Sequence, residues 1–145
     1  MIPSGEVPLR AIVDTNVVLD VLLERDPFVK AAVEVFCLVE ESRIDAFICA
    51  TTVTTIDYLL VKSLPAPSAR SALRRLISLF EIATVNRPVI ERALESKIQD
   101  FEDAVLNEAG QMAGADFVIT RNTKDFSGSS LKVCDPDEIL ALFDR

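Results

Sequence analysis

The chain has 145 residues, half of them hydrophobic, with no histidine and a formal net charge of −8. That length buries one core rather than two, and that composition belongs to a globular chain rather than a disordered one. The missing imidazole excludes Ser-His-Asp and Cys-His catalysis and histidine-ligated zinc, and the acidic balance argues against a broad duplex-binding surface built on many phosphate contacts.

Residues 1–8, within MIPSGEVPLR, lack the apolar core of a signal peptide and read as an N-terminal tail. No later stretch reaches the roughly 18 uncharged residues needed to span a bilayer, so a cytoplasmic location is expected. Leu9 to Val13 is a short apolar run that reads as a first strand, followed by a helix and a restart marked by Pro27. From Phe28 to Arg43 the apolar positions Val29, Ala32, Val33, Phe36, Cys37 and Val39 follow a helical period. Asp45 to Cys49 reads as a second strand, with Thr51 and Thr52 as caps of a helix running to about Ser63. Pro65 and Pro67 mark the start of a helix over Ser68 to Leu79, and Glu81 to Val85 reads as a third strand. Asn86 caps a helix to about Lys97, with Pro88 tolerated in its first turn. Asp100 opens a helix that ends between Gly110 and Gly114, Ala115 to Thr120 is a fourth strand, Leu131 to Val133 a fifth, and a last helix starts near Pro136. Strands alternating with helices imply a parallel sheet covered on both faces. Cys37, Cys49 and Cys134 are odd in number and widely spaced, which fits core residues rather than disulfides or a zinc site.

Ligands of such sheets bind at the carboxyl ends of the strands. Asp14 follows the first strand and Thr120-Arg121-Asn122 the fourth, while Asp57 lies in the helix after the second. Asp14 and Asn16 could also serve as a cap and a turn. In VTTIDYLL, Val53, Ile56 and Leu60 flank Asp57 at i−4, i−1 and i+3, which puts its carboxylate on or beside the apolar face. There it needs a cation, a proton or several donors, unless it is a surface-edge residue capped by Thr54. Asp100 and Asp103 stand three apart at a helix start, where they either compensate the helix dipole or face a crevice together. Asp125 adds a carboxylate to the TRNTKDF loop. Gathered by the sheet, Asp14, Asp57, Asp100, Asp103 and Asp125 would repel one another unless a hard divalent cation sat among them.

With these residues in view, the chain resembles the PIN domain family of metal-dependent ribonucleases over about residues 9 to 143. IVDTNVVLD resembles the family's opening motif, DFEDA its central acidic motif and GADFVITRNTKDF its closing strand and loop. The resemblance implies a three-layer α/β/α sandwich around a parallel sheet of about five strands, forming a single domain. It implies a Mg2+- or Mn2+-dependent endoribonuclease hydrolysing RNA. Many prokaryotic members are VapC-like toxins, so a homodimer silenced by a small antitoxin protein is also implied. By the same likeness Asp14, Asp57 and Asp103 are the catalytic metal ligands, with Asp100 beside Asp103 in support. Asn16 and Thr120 orient ligands or water. Asp57 stands where the family more often has glutamate, and Asn122 where it often has aspartate, leaving Asp125 to supply a fourth acid. Two other readings stay open. One is a non-catalytic PIN-like binding module. The other is a haloacid dehalogenase-like phosphatase with Asp14 as nucleophile, which is weakened because Asn16 stands where that family has its second acid and cannot act as a general acid or base.

Overall fold

Strand β1, Leu9–Val13, is buried on both faces, and the alternation of side chains along it divides the molecule in two. Ala11 and Val13 point into one hydrophobic core while Ile12 points into the other, as a period of two requires. The computed structural model describes residues 7–143, so the tail expected at residues 1–8 lies outside the described residues as far as residue 6.

Four more strands join β1: β2 (Ile44–Cys49), β3 (Glu81–Ala83), β4 (Phe117–Ile119) and β5 (Lys132–Cys134). Their order is β3-β2-β1-β4-β5, and each neighbouring pair is parallel. Helices α1 (Thr15–Leu22), α2 (Val29–Glu40), α3 (Ala50–Leu60), α4 (Ala66–Leu79) and α7 (Pro136–Ala141) supply the first core. Helices α5 (Arg87–Leu94) and α6 (Phe101–Ala113) cover the opposite face. The result is the expected three-layer α/β/α sandwich on a five-stranded parallel sheet. From β1 the chain moves to β2 on one side, whereas β4 and β5 occupy the other. The reversal opens a crevice at the carboxyl ends of β1 and β4.

Local chemistry sets most of the boundaries. The Asp100 carboxylate caps α6 by accepting from Asp103 N at 2.9 Å, and Gly114 ends that helix in the left-handed region at φ 89°. Asn86 caps α5 through Val89 N at 3.2 Å, and Asp135 with Glu138 forms a capping box on α7. Differences from the sequence reading lie at the ends of elements. Helix α3 starts at Ala50 straight from β2, without a side-chain cap, so Thr51 and Thr52 lie inside its first turn rather than capping it. Helix α4 begins at Ala66, α5 ends at Leu94 and α2 at Glu40. A 3-10 turn over Thr123–Phe126 buries Phe126 and gives shape to what read as a polar loop.

Candidate active site

Asp14 is the first residue past β1, and its backbone N donates to Ile119 O of β4 at 2.9 Å, which ties it to the crevice. As the N-cap of α1, its Oδ1 accepts from Thr15 N at 2.8 Å. The Thr120 hydroxyl, just past β4, donates to Asp14 Oδ2 at 2.8 Å, and Asn16 Nδ2 donates to the same oxygen at 3.2 Å. The framework closes on itself: Asn122 N donates to Thr120 Oγ1 at 3.0 Å and Arg121 N to Asn16 Oδ1 at 3.2 Å. Asp14 and Thr120 are buried, at 6% and 0% exposure, so the orientation of this carboxylate is over-determined.

Opposite it stands the start of α6. A cleft of about 390 Å3 is lined by Asp14, Asn16, Asp100, Glu102, Asp103 and Asn122. A second hollow of about 580 Å3 meets it at Asp100 and Asp103 and brings in Asp125. The carboxylates act on one another. Burial pushes the Asp103 carboxyl up to about 7, and the charges of Asp14, Asp100, Asp125 and Glu102 add to the rise. Burial likewise raises Asp14, against the lowering effect of its hydrogen bonds from Thr120 and Thr15, with Asp125 and Asp100 pushing further upward. Glu102 is raised by desolvation and by Asp100 and Asp14, while a hydrogen bond with Thr55 of α3 opposes the rise.

The cleft and the hollow beside it therefore gather Asp14, Asn16, Asp100, Asp103, Asn122 and Asp125, with Thr120 bonded to Asp14, whereas Asp57, expected among them, stands elsewhere. That residue does not line the cleft and is absent from the charges acting on Asp14 and Asp103; its Oδ1 accepts from Arg70 Nε of α4 at 3.1 Å. Helix phase is the reason. Thr55 is the α3 residue that reaches Glu102, and two residues further on the helix has turned by about 200°. Thr54 leaves Asp57 alone, its hydroxyl donating instead to Thr51 O at 2.9 Å. Two acids escaped the sequence reading. Glu102 lies inside DFEDA, where its neighbours at the helix start looked sufficient. Asp20, fully buried in α1, interrupts an apolar stretch one turn after Asn16, a signal present in the sequence.

The donors fit a hard cation. They are oxygens only, negative, and so crowded that several hold protons more tightly than usual. Among the described residues no three carboxylates already converge as a ligand set.

Known proteins are similar to this chain over most of its length. At 23% identity over 134 residues, the chain is similar to ribonuclease VapC1 of Aquifex aeolicus, covering 89% of this chain and 92% of that one. A toxin–antitoxin complex from Klebsiella pneumoniae contains a chain of 27% identity and TM-score 0.66, with 87% of this chain and 97% of that one covered. VapBC2 from Rickettsia felis, solved bound to a DNA fragment from its promoter, shares the fold at 17% identity and TM-score 0.66, over 88% and 98% of the two chains. The family model for the PIN domain matches residues 10–124. A match over most of the chain, on a sheet that gathers the motifs' acids at one crevice, places this protein in the PIN domain family.

Proposed function

We propose that the protein is a metal-dependent endoribonuclease working with Mg2+ or Mn2+, and that it is the toxin of a toxin–antitoxin pair. The observation that carries this reading is Asp14, buried and held by Thr15, Asn16 and Thr120, facing Asp103, whose carboxyl is pushed up to about 7 by burial and by neighbouring acids. Asp14 and Asp103 would hold the ion, with Asp100 and Asp125 in support. A hard divalent ion bound there supplies an activated water and neutralises charge on the phosphoryl oxygens. The chain's own residues do the rest. Asn16 and Thr120 keep one Asp14 oxygen in place, and the backbone N of Asn122 keeps Thr120 in place. Glu102 lines the cleft with a raised proton affinity, as befits the group that takes a proton from water.

The named relatives support a protein partner. An Arg-bearing antitoxin segment suits this carboxylate cleft, where it competes with metal. Exposed Tyr58 on α3, Val61 at its C-cap and Ile77 on α4 offer apolar surface for a second copy in a homodimer. The test is cleavage of single-stranded RNA by the purified chain with Mn2+, Mg2+ or EDTA. Activity with the ions, none with EDTA, and none in Asp14→Ala or Asp103→Ala is the expected result; an inert wild type with both ions removes the reading. A non-catalytic binding module is the second reading, favoured by Asp57 standing outside the cleft, and stability indifferent to metal with no cleavage selects it.

A further inference from the structure

Asp20 is the most deeply buried acid of the described residues outside the carboxylate cluster, with 0% exposure, and a buried charge in an apolar helix persists only when paired. It is paired twice. Arg121 donates Nε to Oδ2 at 2.6 Å and Nη2 to Oδ1 at 3.1 Å, a two-pronged match, while Arg25 donates Nε to Oδ1 at 2.9 Å. Arg25 Nη2 also donates to Asn16 O at 3.2 Å, and the Arg121 guanidinium lies 3.8 Å from the centroid of the Phe28 ring. Two guanidinium groups against one carboxylate leave one positive charge in excess. Both arginines line the cleft that holds Asp14 and Asp103, and Nη1 of neither makes a hydrogen bond among the described residues.

We propose that Arg25 and Arg121 form a phosphate clamp that grips a phosphate of the RNA chain adjacent to the one being cleaved, with Asp20 as the positioning residue. This rests on the nuclease reading and says how an anionic substrate is held by a chain of net charge −8: local cations at the rim outweigh a repulsive surface. Planar guanidinium groups suit phosphate through paired N–H donors, and fixing them beforehand on Asp20 and Phe28 lowers the conformational cost of binding.

The experiment measures Mn2+-supported cleavage of a single-stranded RNA by wild type, Arg25→Gln, Arg121→Gln, Arg121→Lys and Asp20→Asn, over a range of NaCl concentrations, with melting temperatures alongside. Each single arginine variant leaves Asp20 one guanidinium partner and keeps the helix anchored. The expected result for either Gln variant is a KM about tenfold higher with kcat unchanged, from the loss of a charged hydrogen-bonding partner. Its plot of log(kcat/KM) against log[NaCl] should be shallower by about 0.7, the single-strand value for one phosphate contact. Arg121→Lys and Asp20→Asn keep both positive charges and should raise KM with the salt slope unchanged. Wild-type KM and slope in the Gln variants, or a lower kcat with unchanged KM, would overturn the clamp while leaving the nuclease standing. A wild type inert on RNA would overturn both.

Discussion

At the scale of single residues, burial and the neighbouring acids raise the proton affinity of Asp14, Glu102 and Asp103. Asp103 has a folded-state carboxyl near 7 against an ordinary value of 3.8, so between those two values the native chain binds more protons than the unfolded one. Stability of the metal-free protein should therefore fall as pH rises from about 4 through about 7 and level off above that, as thermal melts across pH would register. Mn2+ competes with the same proton, so its affinity, followed by calorimetric titration, should rise with pH through that window. Replacing Asp103 with Asn removes one of the crowded charges. The variant should gain on the order of 1 kcal/mol in metal-free stability at neutral pH, the scale of a partly screened like-charge contact, while losing at least about a hundredfold in cleavage. Asp57→Asn makes the opposite test. Asp57 is paired with an exposed Arg70 rather than with the cleft, so activity should stay within about threefold of wild type and stability within about 0.5 kcal/mol.

At the scale of elements, the decisive contact is between α6 and β1, which bear Asp103 and Asp14 at their ends. Gly110 of α6 lies against β1, where an added Cβ would stand 2.7 Å from Ile12 Cγ2. Gly110→Ala should force the helix off the strand and cost about 1–3 kcal/mol, an overpacking penalty readable by urea denaturation. It should also weaken Mn2+ binding, because the two acids separate. The strand and helix patterns were legible in the sequence because their periods differ, and the Asp100 cap was legible from its place before the acidic turn. Helix phase was less so. That Asp57 turns toward Arg70 while Thr55 meets Glu102 depends on how α3 leaves β2, directly and without a cap, and no spacing rule in the sequence reports that.

At the scale of the whole molecule, the strand order places a crevice at the carboxyl ends of β1 and β4, lined by Asp14, Asp100, Glu102 and Asp103. An ion that binds only the folded cleft should stabilise the entire domain, by about 2.7 kcal/mol at a hundred times its dissociation constant. Differential scanning calorimetry should record a rise in Tm with Mn2+ that vanishes in Asp14→Ala. By itself the sequence determined the layered α/β plan, the place of Asp14 after the first strand and the acidic start of α6, since these follow from local periodicity, caps and the rule that binding occurs at strand ends. Only the tertiary structure decided which acids share the cleft, because long-range packing sets helix phase and brings Thr120 and Arg121 across from β4. It admitted Glu102, turned Asp57 away and joined Asp20 to two arginines from separate segments, since the cost of burying charge is settled by whatever partners the fold brings within reach.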